Sequence, residues 1–204
     1  MPDLFEVVKQ RRSIRKYLPR SVQKEIILKV LEAAGCAPSA HNSQPWRFIV
    51  LSNESIKLEL ADAMAEAWAA DLKKDGKIVD LTERKERVGR FANAPVLILA
   101  CLTMDGLRKF PDEERQMCER DLAVQSFGAA IQNLLLTAHA KGLGACWYCA
   151  PGFCKKTVRE VLKIPDSVEP QSFVILGYPA ETPSVPKKKS LDEYCFVDEW
   201  GRKF

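Results

Sequence analysis

One long amphipathic segment places the strongest constraint on how this chain can fold. Between Glu119 and Lys141 apolar residues recur at helical spacing, and Gly142 and Gly144 follow directly, as glycines often do where a helix ends. A helix of this length predicts the central element of a core, with apolar neighbours on most of its sides. Its core-spaced residues are Leu122, Phe127, Ile131, Leu134, Leu135 and Ala138.

Shorter helices and strands are predicted around this central helix. One helix should begin near Ser21 as its N-cap and end before Pro38. The irregular alternation of helices with few strands predicts an α+β fold, or a mixed three-layer sandwich, rather than a doubly wound parallel sheet. Apolar and β-branched runs predict strands at 46–51, 96–102, 145–148 and 172–177, and helical spacing predicts helices at 4–11, 56–72 and 155–162.

Length and hydropathy favour one domain and no membrane span. The chain has 204 residues, of which 47% are hydrophobic, and no repeat or linker divides it before about residue 179. We therefore expect a single domain over residues 1–204. The longest apolar run, from Ala94 to Leu102, contains Pro95 and falls far short of the ~20 residues needed to cross a bilayer. That run predicts a buried strand.

The seven cysteines predict a reducing compartment rather than a disulfide framework. Their number is odd, their spacing is irregular, and the first twenty residues lack the apolar stretch of a secretory signal. A cytoplasmic location is the expectation. Cys146, Cys149 and Cys154 suggest thiolate ligands for a metal or an iron–sulfur cluster, but no fourth ligand is nearby and the chain has only two histidines. We expect no metal.

Basic residues are clustered in two places along the chain. Six lie between Lys9 and Arg20 with no acidic residue among them, and Lys187, Lys188 and Lys189 form a second group. The isoelectric point of about 8.6 and the absence of interleaved aromatic residues argue against a nucleic-acid partner. Two discrete clusters instead predict a small anionic ligand such as a phosphate.

Two motifs combine polar groups with a rigid setting. Arg11-Arg12-Ser13-Ile14-Arg15 directly follows the first predicted helix, and its guanidinium groups could grip phosphate oxygens in pairs. The loop from Ala37 to Trp46 carries Asn42 and Gln44 between two prolines, and its unpaired backbone groups could bind the edge of a planar heterocycle. A solvated basic turn and a rigid connector are the simpler interpretations.

Together these motifs resemble the opening of the nitroreductase-like FMN flavoproteins. The resemblance rests on RRSIRKY and APSAHNSQPWRFIVL, extends through GAAIQNLLLTAHAKGLGACW and the strand before Gly177, and covers most of the chain. The middle of the chain, from AWAADLKK to APVLILA, also resembles flavin domains related to the C-terminal half of the glutamyl ligase of deazaflavin-coenzyme biosynthesis. The resemblance implies a three-layer sandwich whose mixed, mostly antiparallel sheet is flanked by helices.

The resemblance assigns expected roles to the residues that match the family's motifs. Both basic clusters match positions that hold the FMN phosphate and ribityl chain, and the loop at 38–42 matches a segment lent to the flavin ring of a dimer partner. The backbone amide of Gly152 matches the donor to the reactive ring nitrogen, and Pro151 stands where some relatives carry Glu. The expected cofactor-binding residues are Arg11, Arg12, Ser13, Arg15, Pro38, Ser39, Ala40, Asn42, Pro151, Gly152, Lys187 and Lys189.

The activity that the resemblance implies is that of an FMN-dependent oxidoreductase. A hydride would pass from NADH or NADPH to a nitroaromatic, quinone or related conjugated small-molecule acceptor in a ping-pong course. Because the chain has no Rossmann-type glycine fingerprint, the nicotinamide donor should bind without a dedicated dinucleotide domain. The alternatives are a non-catalytic flavin-binding module and a reductase of a deazaflavin-coenzyme intermediate. Candidates for lining the acceptor slot are Trp68, Phe91, Phe110 and Tyr148, each of which also fits a core.

The C-terminal segment predicts a homodimer. Residues 179–204 contain a lysine- and proline-rich turn and then several apolar side chains with no predicted helix or strand of their own. Burial of apolar surface stabilises by about 25 cal/mol per Å², and a symmetric partner could provide the missing surface. In the resembled family such tails cross between subunits. The side chains concerned are Tyr194, Phe196, Val197, Trp200 and Phe204.

Overall fold

Four antiparallel strands form the centre of the molecule, which a computed structural model describes over residues 3–204. The strands lie in the order β1-β2-β4-β3, and each neighbouring pair is antiparallel. A parallel pairing occurs at an isolated bridge between Ser13 and Ala145. The prediction of a mostly antiparallel sheet is therefore confirmed. The strands are β1 (Trp46–Leu51), β2 (Val96–Thr103), β3 (Gly144–Tyr148) and β4 (Val168–Gly177).

Helices cover both faces of this sheet. α2 and α5 pack on one face, and α3, α4 and α6 pack on the other, which confirms the three-layer sandwich. Across residues 3–204 no helix is both long and apolar enough to cross a membrane. The helices are α1 (Leu4–Gln10), α2 (Lys24–Gly35), α3 (Glu54–Lys74), α4 (Leu81–Ala92), α5 (Glu113–Ala140) and α6 (Lys155–Leu162).

Strand β2 shows how the apolar run at 94–102 contributes side chains to the cores on both faces of the sheet. All eight of its residues are buried. Because successive side chains of a strand point to opposite faces, Ile98 and Ala100 join the core under α2 and α5, whereas Leu97 and Leu99 join the core under α3, α4 and α6. A strand buried on both faces has no polar positions to alternate with, which is why the run is continuous.

Several predicted element boundaries are wrong for identifiable reasons. Ser21 is not an N-cap, because α2 begins only at Lys24 and is preceded by Gln23. α5 begins at Glu113, where the side chain of Asp112 accepts a hydrogen bond from the Arg115 amide. The first turns of α5 are mostly exposed, so apolar spacing could not reveal them. β4 likewise begins at Val168, four residues before the predicted strand.

The segment from Ser13 to Leu18 crosses the edge of the sheet in close contact with Gly144. The Ile14 amide donates to the carbonyl of Ala145 at 3.0 Å, and the Leu18 amide donates to the carbonyl of Tyr178 at 2.9 Å. A Cβ atom at Gly144 would lie 2.7 Å from the Cβ of Ile14. Such a distance leaves no room for any side chain, so this glycine fixes how closely the segment approaches β3.

We predict that Gly144→Ala destabilises the fold by forcing Ile14 away from β3. Overpacking of this kind costs about 1–3 kcal/mol. Thermal unfolding should show a lowered Tm. Gly35→Ala is the matched control, because an added Cβ there meets nothing within 4 Å and should leave the Tm unchanged or raise it. Equal Tm values for Gly144→Ala and the unsubstituted protein would contradict this account of the crossing.

A polar cluster at the start of β4 ties together helices from the two layers. Glu169 accepts hydrogen bonds from Arg120 of α5 at 3.0 Å, from Gln171 at 2.7 Å and from Lys155 of α6. Burial alone would raise the pKa of Glu169, but the bonds from Lys155 and Arg120 hold it below its usual value. The carboxylate form therefore stabilises the fold.

We predict that Glu169→Gln lowers stability at neutral pH by about 1.5–3 kcal/mol, the range for hydrogen bonds to a charged group. Because the folded pKa of Glu169 lies below the unfolded one, the stabilisation is fully present above the unfolded pKa and is lost as the pH falls through the folded pKa. Chemical denaturation at neutral and acidic pH should show the two proteins converging in acid. A difference independent of pH would mean that packing, not charge, is responsible.

Candidate functional site

The edge strand β3 connects the two regions to which the resemblance assigns the cofactor. Its second residue, Ala145, pairs with Ser13 of the basic segment. It ends at Tyr148, just before the 3-10 turn Ala150–Phe153. Ala145 and Tyr148 are three steps apart, which is about 10 Å in a strand. The basic segment and the turn that holds Gly152 therefore lie at opposite ends of one short strand.

The arginines of the basic segment have different environments. The guanidinium group of Arg12 donates to the carbonyls of Lys9 and Arg11, at 2.7 and 2.8 Å, and so completes the end of α1. Arg15 is exposed and makes only a 3.5 Å contact with the Ser13 carbonyl. Burial, together with the charges of Arg11 and Arg12, lowers the pKa of nearby His139. Arg12 is committed to the backbone, whereas Arg15 is available to an anion.

A carboxylate accepts hydrogen bonds from two backbone amides of this segment. Oε1 of Glu181 accepts hydrogen bonds from the amides of Arg15 at 2.6 Å and Lys16 at 3.1 Å. The Arg15 amide is the main cause of the lowered pKa of Glu181. Successive amides that hold a carboxylate form a small anion-binding concavity. Sequence reasoning missed Glu181, because nothing in the irregular stretch after β4 marks one acid as facing this segment.

The chain that leads to the second basic cluster passes the first. Thr182, Pro183 and Val185 line a pocket of about 440 Å³ together with Arg12. Lys187 and Lys189 follow in an exposed segment with no regular structure. Within residues 3–204 neither lysine forms an ion pair, so their charges are not neutralised in the single chain.

The loop at 38–44 has a strained backbone. His41, Asn42 and Gln44 have φ values of 55°, 52° and 46°, in the left-handed region that L-residues other than glycine rarely adopt. Within the loop the Gln44 amide donates to the hydroxyl of Ser39 at 3.1 Å. Backbone strain of this kind persists only where the surroundings enforce it, and it often occurs at ligand-binding segments.

Two polar side chains of α5 hold this loop in place. The hydroxyl of Ser126 accepts a hydrogen bond from the Ala40 amide at 3.1 Å. The buried carboxylate of Glu119 lies 3.3 Å from Nε2 of His41 and also accepts the Arg108 amide at 3.2 Å. His41 thus anchors the loop. Sequence reasoning missed Glu119 and Ser126, although both interrupt the buried face of α5 with a polar group.

A cleft opens beside the turn at 150–153, between α5, β3 and β4. We call it the turn cleft; its volume is about 370 Å³. The hydroxyl of Ser172 is buried in its wall and has no hydrogen-bond partner among residues 3–204, an arrangement that costs about 1–3 kcal/mol. The residues that line the turn cleft are Val124, Phe127, Gly128, Trp147, Cys149, Gly152, Phe153, Lys155, Gln171 and Ser172.

The Gly152 amide is already engaged within the turn. It donates to the carbonyl of Cys149 at 3.1 Å. A ligand that accepts from this amide would have to share or replace that bond. Gly152 nevertheless lines the turn cleft, and Pro151 beside it is buried. The amide is thus positioned at the cleft by a short helical turn rather than by an extended strand.

A second pocket, of about 400 Å³, lies on the α3 and α4 side of the same turn. We call it the aromatic pocket. Its lining includes three of the four residues predicted to line an acceptor slot, namely Trp68, Phe91 and Tyr148. Phe153 lines both this pocket and the turn cleft. Phe110 lies elsewhere, beneath the guanidinium group of Arg115. Phe110 does not line this pocket, and its place in an acceptor slot stays a prediction.

Two titratable side chains near the turn, Tyr148 and Cys154, have raised pKa values and stay protonated at ordinary pH. Burial raises the pKa of Tyr148 to about 12, with a contribution from Cys146, and burial raises the pKa of Cys154 to about 11. A protonated thiol is a poor metal ligand. Within the described residues no group of three or more histidine, cysteine, aspartate or glutamate side chains is arranged to hold a metal ion.

Comparison with known proteins identifies the family. The nitroreductase family model matches residues 8–178. A protein of Methanothermobacter thermautotrophicus, provisionally named NADH dehydrogenase/NAD(P)H nitroreductase, is 36% identical over 183 residues, which cover 89% of this chain and 80% of the relative. The Bacillus subtilis protein provisionally named NAD(P)H nitroreductase YfhC is 32% identical over 188 residues, covering 92% of this chain and 90% of the relative.

Solved structures agree with this assignment. The crystal structure of a BluB-like flavoprotein from Clostridium difficile 630 superposes with a TM-score of 0.81 at 26% sequence identity. The match covers 98% of this chain and 100% of that one. Since the family model spans most of the sequence and both curated relatives exceed 30% identity over about nine-tenths of it, the chain belongs to the nitroreductase family.

Proposed function

We propose that this chain is an FMN-dependent oxidoreductase that transfers a hydride from NADH or NADPH to a nitroaromatic, quinone or related conjugated acceptor. The observation that carries the proposal is the placement of an available cation near one end of the edge strand β3 and of a buried hydroxyl, unpartnered within residues 3–204, in the cleft near its other end. Arg15 lies near the start of β3, and Ser172 lines the cleft at its end. A long ligand could bind Arg15 through an anionic tail and form a hydrogen bond with Ser172 through the polar edge of a ring.

The residues along β3 fit FMN in particular. Arg11, Ser13 and Arg15 would hold the phosphate, with Lys187 and Lys189 closing from the tail. The ring would lie in the turn cleft, where the Ser172 hydroxyl gains a partner. The loop residues Pro38, Ser39, Ala40 and Asn42 would contribute from a second copy of the chain. When bound, FMN supplies two-electron chemistry to a donor and an acceptor that bind in turn.

The chain's own residues position the reactants and exclude water. The Gly152 amide, next to Pro151, would donate to the edge of the ring where negative charge develops, as fixed backbone donors do in other active sites. Phe127, Trp147 and Phe153 supply an apolar wall. The cations of the basic segment would hold the phosphate and so orient the ring through its tail.

We propose that the site is completed in a homodimer of single-domain, cytoplasmic chains. Tyr194 is 62% exposed, and Trp200 and Phe204 are each 91% exposed. Phe196 is partly buried and contacts Trp200 with ring centroids 4.8 Å apart, but this contact leaves Trp200 exposed. A partner surface would remove these side chains from water, and residues 179–204 would cross to it. We propose no nucleic-acid partner.

The visible spectrum of the purified protein, with the mass of any released cofactor, tests the proposal most directly. We expect flavin absorbance, a mass equal to that of FMN, and turnover of NADH or NADPH when a nitroaromatic or quinone is added. A protein that holds FMN but turns over neither donor would instead be a flavin-binding module. A colourless protein that takes up no flavin on titration would overturn the proposal.

We predict that Arg15→Ala weakens FMN binding by about 1.5–3 kcal/mol, because it removes charge-assisted bonds to the phosphate. Riboflavin, which lacks the phosphate, should lose much less affinity. Fluorescence titration with both flavins measures the difference. Lys16→Ala removes an adjacent exposed cation and should affect both flavins little. Equal losses for the two flavins in Arg15→Ala would show that Arg15 does not contact the phosphate.

We predict that truncation before Tyr194 yields a monomeric or unstable protein that has lost FMN. The deletion removes the exposed aromatic side chains that are proposed to cover a partner. Light scattering and flavin absorbance should be recorded on the same sample. Replacement of Phe204 alone leaves most of this surface in place and should preserve the assembly. A truncated protein that stays yellow, dimeric and equally stable would contradict the crossing of the tail.

A further inference from the structure

We infer that the aromatic pocket binds planar aromatic acceptors that carry an anionic group, and that Arg90 recognises the anion. This inference rests on the proposed function, because it names the class of acceptor that would reach the flavin. The pocket's volume of about 400 Å³ falls in the range of about 300–1,000 Å³ that is usual for small-molecule sites. Its walls are formed mainly by Met64, Trp68, Phe91 and Tyr148.

The charged groups in this pocket are paired, with one exception. Arg87 donates twice to Glu83, at 3.1 and 2.8 Å, while it stacks on the ring of Trp68. Asp71 accepts from Lys74 at 2.8 Å, and Asp75 lies 3.7 Å from Lys77. Each of these three groups therefore has an oppositely charged partner within the described residues.

Arg90 is the exception. Its guanidinium group lies 5.6 Å from the centre of the Tyr148 ring and forms no hydrogen bond or ion pair with another residue of 3–204. An arginine held over an aromatic ring keeps its planar donors free to grip a carboxylate or phosphate. Among the charged groups that line the pocket, Arg90 is thus the one whose donors have no partner within residues 3–204.

The surroundings of Arg90 reinforce this charge. On its other side Arg90 lines a pocket of about 480 Å³ with Arg15 and Arg20, and no acidic residue lines that pocket. Arg20 stacks on Tyr178 at 4.0 Å, and Glu181 binds the amide rather than the guanidinium group of Arg15. Arg15 belongs to the proposed phosphate site, which leaves Arg90 as the cation that faces the aromatic walls.

The aromatic pocket is adjacent to the place proposed for the flavin ring. Trp147 and Tyr148 are successive residues of β3, so their side chains lie on opposite faces of the edge strand. Trp147 lines the turn cleft and Tyr148 lines the aromatic pocket, and Phe153 lines both. Phe153 is 85% exposed and borders both spaces beyond the end of the strand. An acceptor in the aromatic pocket is thus beside the turn that holds Gly152.

The test compares 4-nitrobenzoate with 4-nitrobenzamide, a neutral compound of nearly the same shape. For the FMN-loaded protein we expect kcat/KM to favour the carboxylate. Arg90→Gln should reduce the ratio of the two kcat/KM values by about tenfold or more, as expected when a charge-assisted hydrogen bond is lost. Arg90→Lys, which keeps the charge, should retain part of the ratio.

Arg84→Gln is the matched control on the same helix. Arg84 pairs with Glu66 at 2.6 Å and with Asp62 at 3.4 Å and does not line the aromatic pocket, so its replacement should leave the ratio unchanged. A ratio that falls equally in Arg84→Gln and Arg90→Gln would overturn the inference, because a general loss of positive charge would then explain both. Loss of FMN from Arg90→Gln would also overturn it, because Arg90 would then belong to the flavin site.

A binding measurement separates this inference from the proposed function. Calorimetric titration with benzoate and with benzamide requires no turnover. Preferential binding of benzoate that is lost in Arg90→Gln would support the inference even if neither nitro compound were reduced. Equal affinities for the two ligands in the unsubstituted protein would overturn it, whatever the turnover with NADH or NADPH.

Discussion

The position of the basic cluster at the edge of the sheet depends on how the segment from Ser13 to Leu18 is bound there. Its amides pair with carbonyls next to β3 and β4, and Ile14 fits against Gly144 with no space for a side chain. Tyr17 is largely buried beneath this crossing, and burial strongly raises the pKa of its hydroxyl. The hydroxyl therefore stays protonated and donates to the carbonyl of Ile14. An exposed basic turn is thereby fixed to a rigid edge.

A similar constraint acts on the loop at 38–44 from the other side of the molecule. The loop carries three non-glycine residues with left-handed backbones, and α5 provides the buried groups that compensate for them. Glu119 is costly to bury as a charge, and it is compensated by His41 and by the Arg108 amide. A helix predicted only as the centre of the core thus also determines the shape of a candidate ligand-binding loop.

The sequence predicts the parts of the structure whose causes are local. The strand at 46–51 and the helix at 155–162 are found at the predicted residues. Their periodicity and flanking turns depend only on residues that are close together in the sequence. Sequence could not reveal that Glu181 occupies the Arg15 amide or that Ser172 has no partner. Both depend on contacts between residues far apart in the chain. The family motifs indicated the basic segment and the turn, but not the strand length that separates them.

The unsatisfied features of the single chain lie where a ligand and a second copy are proposed to bind. The Ser172 hydroxyl lacks a partner in the turn cleft, Phe153 is almost fully exposed beside it, and the aromatic tail packs on little else. Each feature costs free energy in isolation, whether through an unmade hydrogen bond or through hydrated apolar surface. Nearly all of the other buried polar side chains in the described residues have hydrogen-bond partners. These features are therefore exceptions within the fold. Their stabilisation by one ring and one partner surface would couple cofactor binding to assembly, because each event buries groups that border the other.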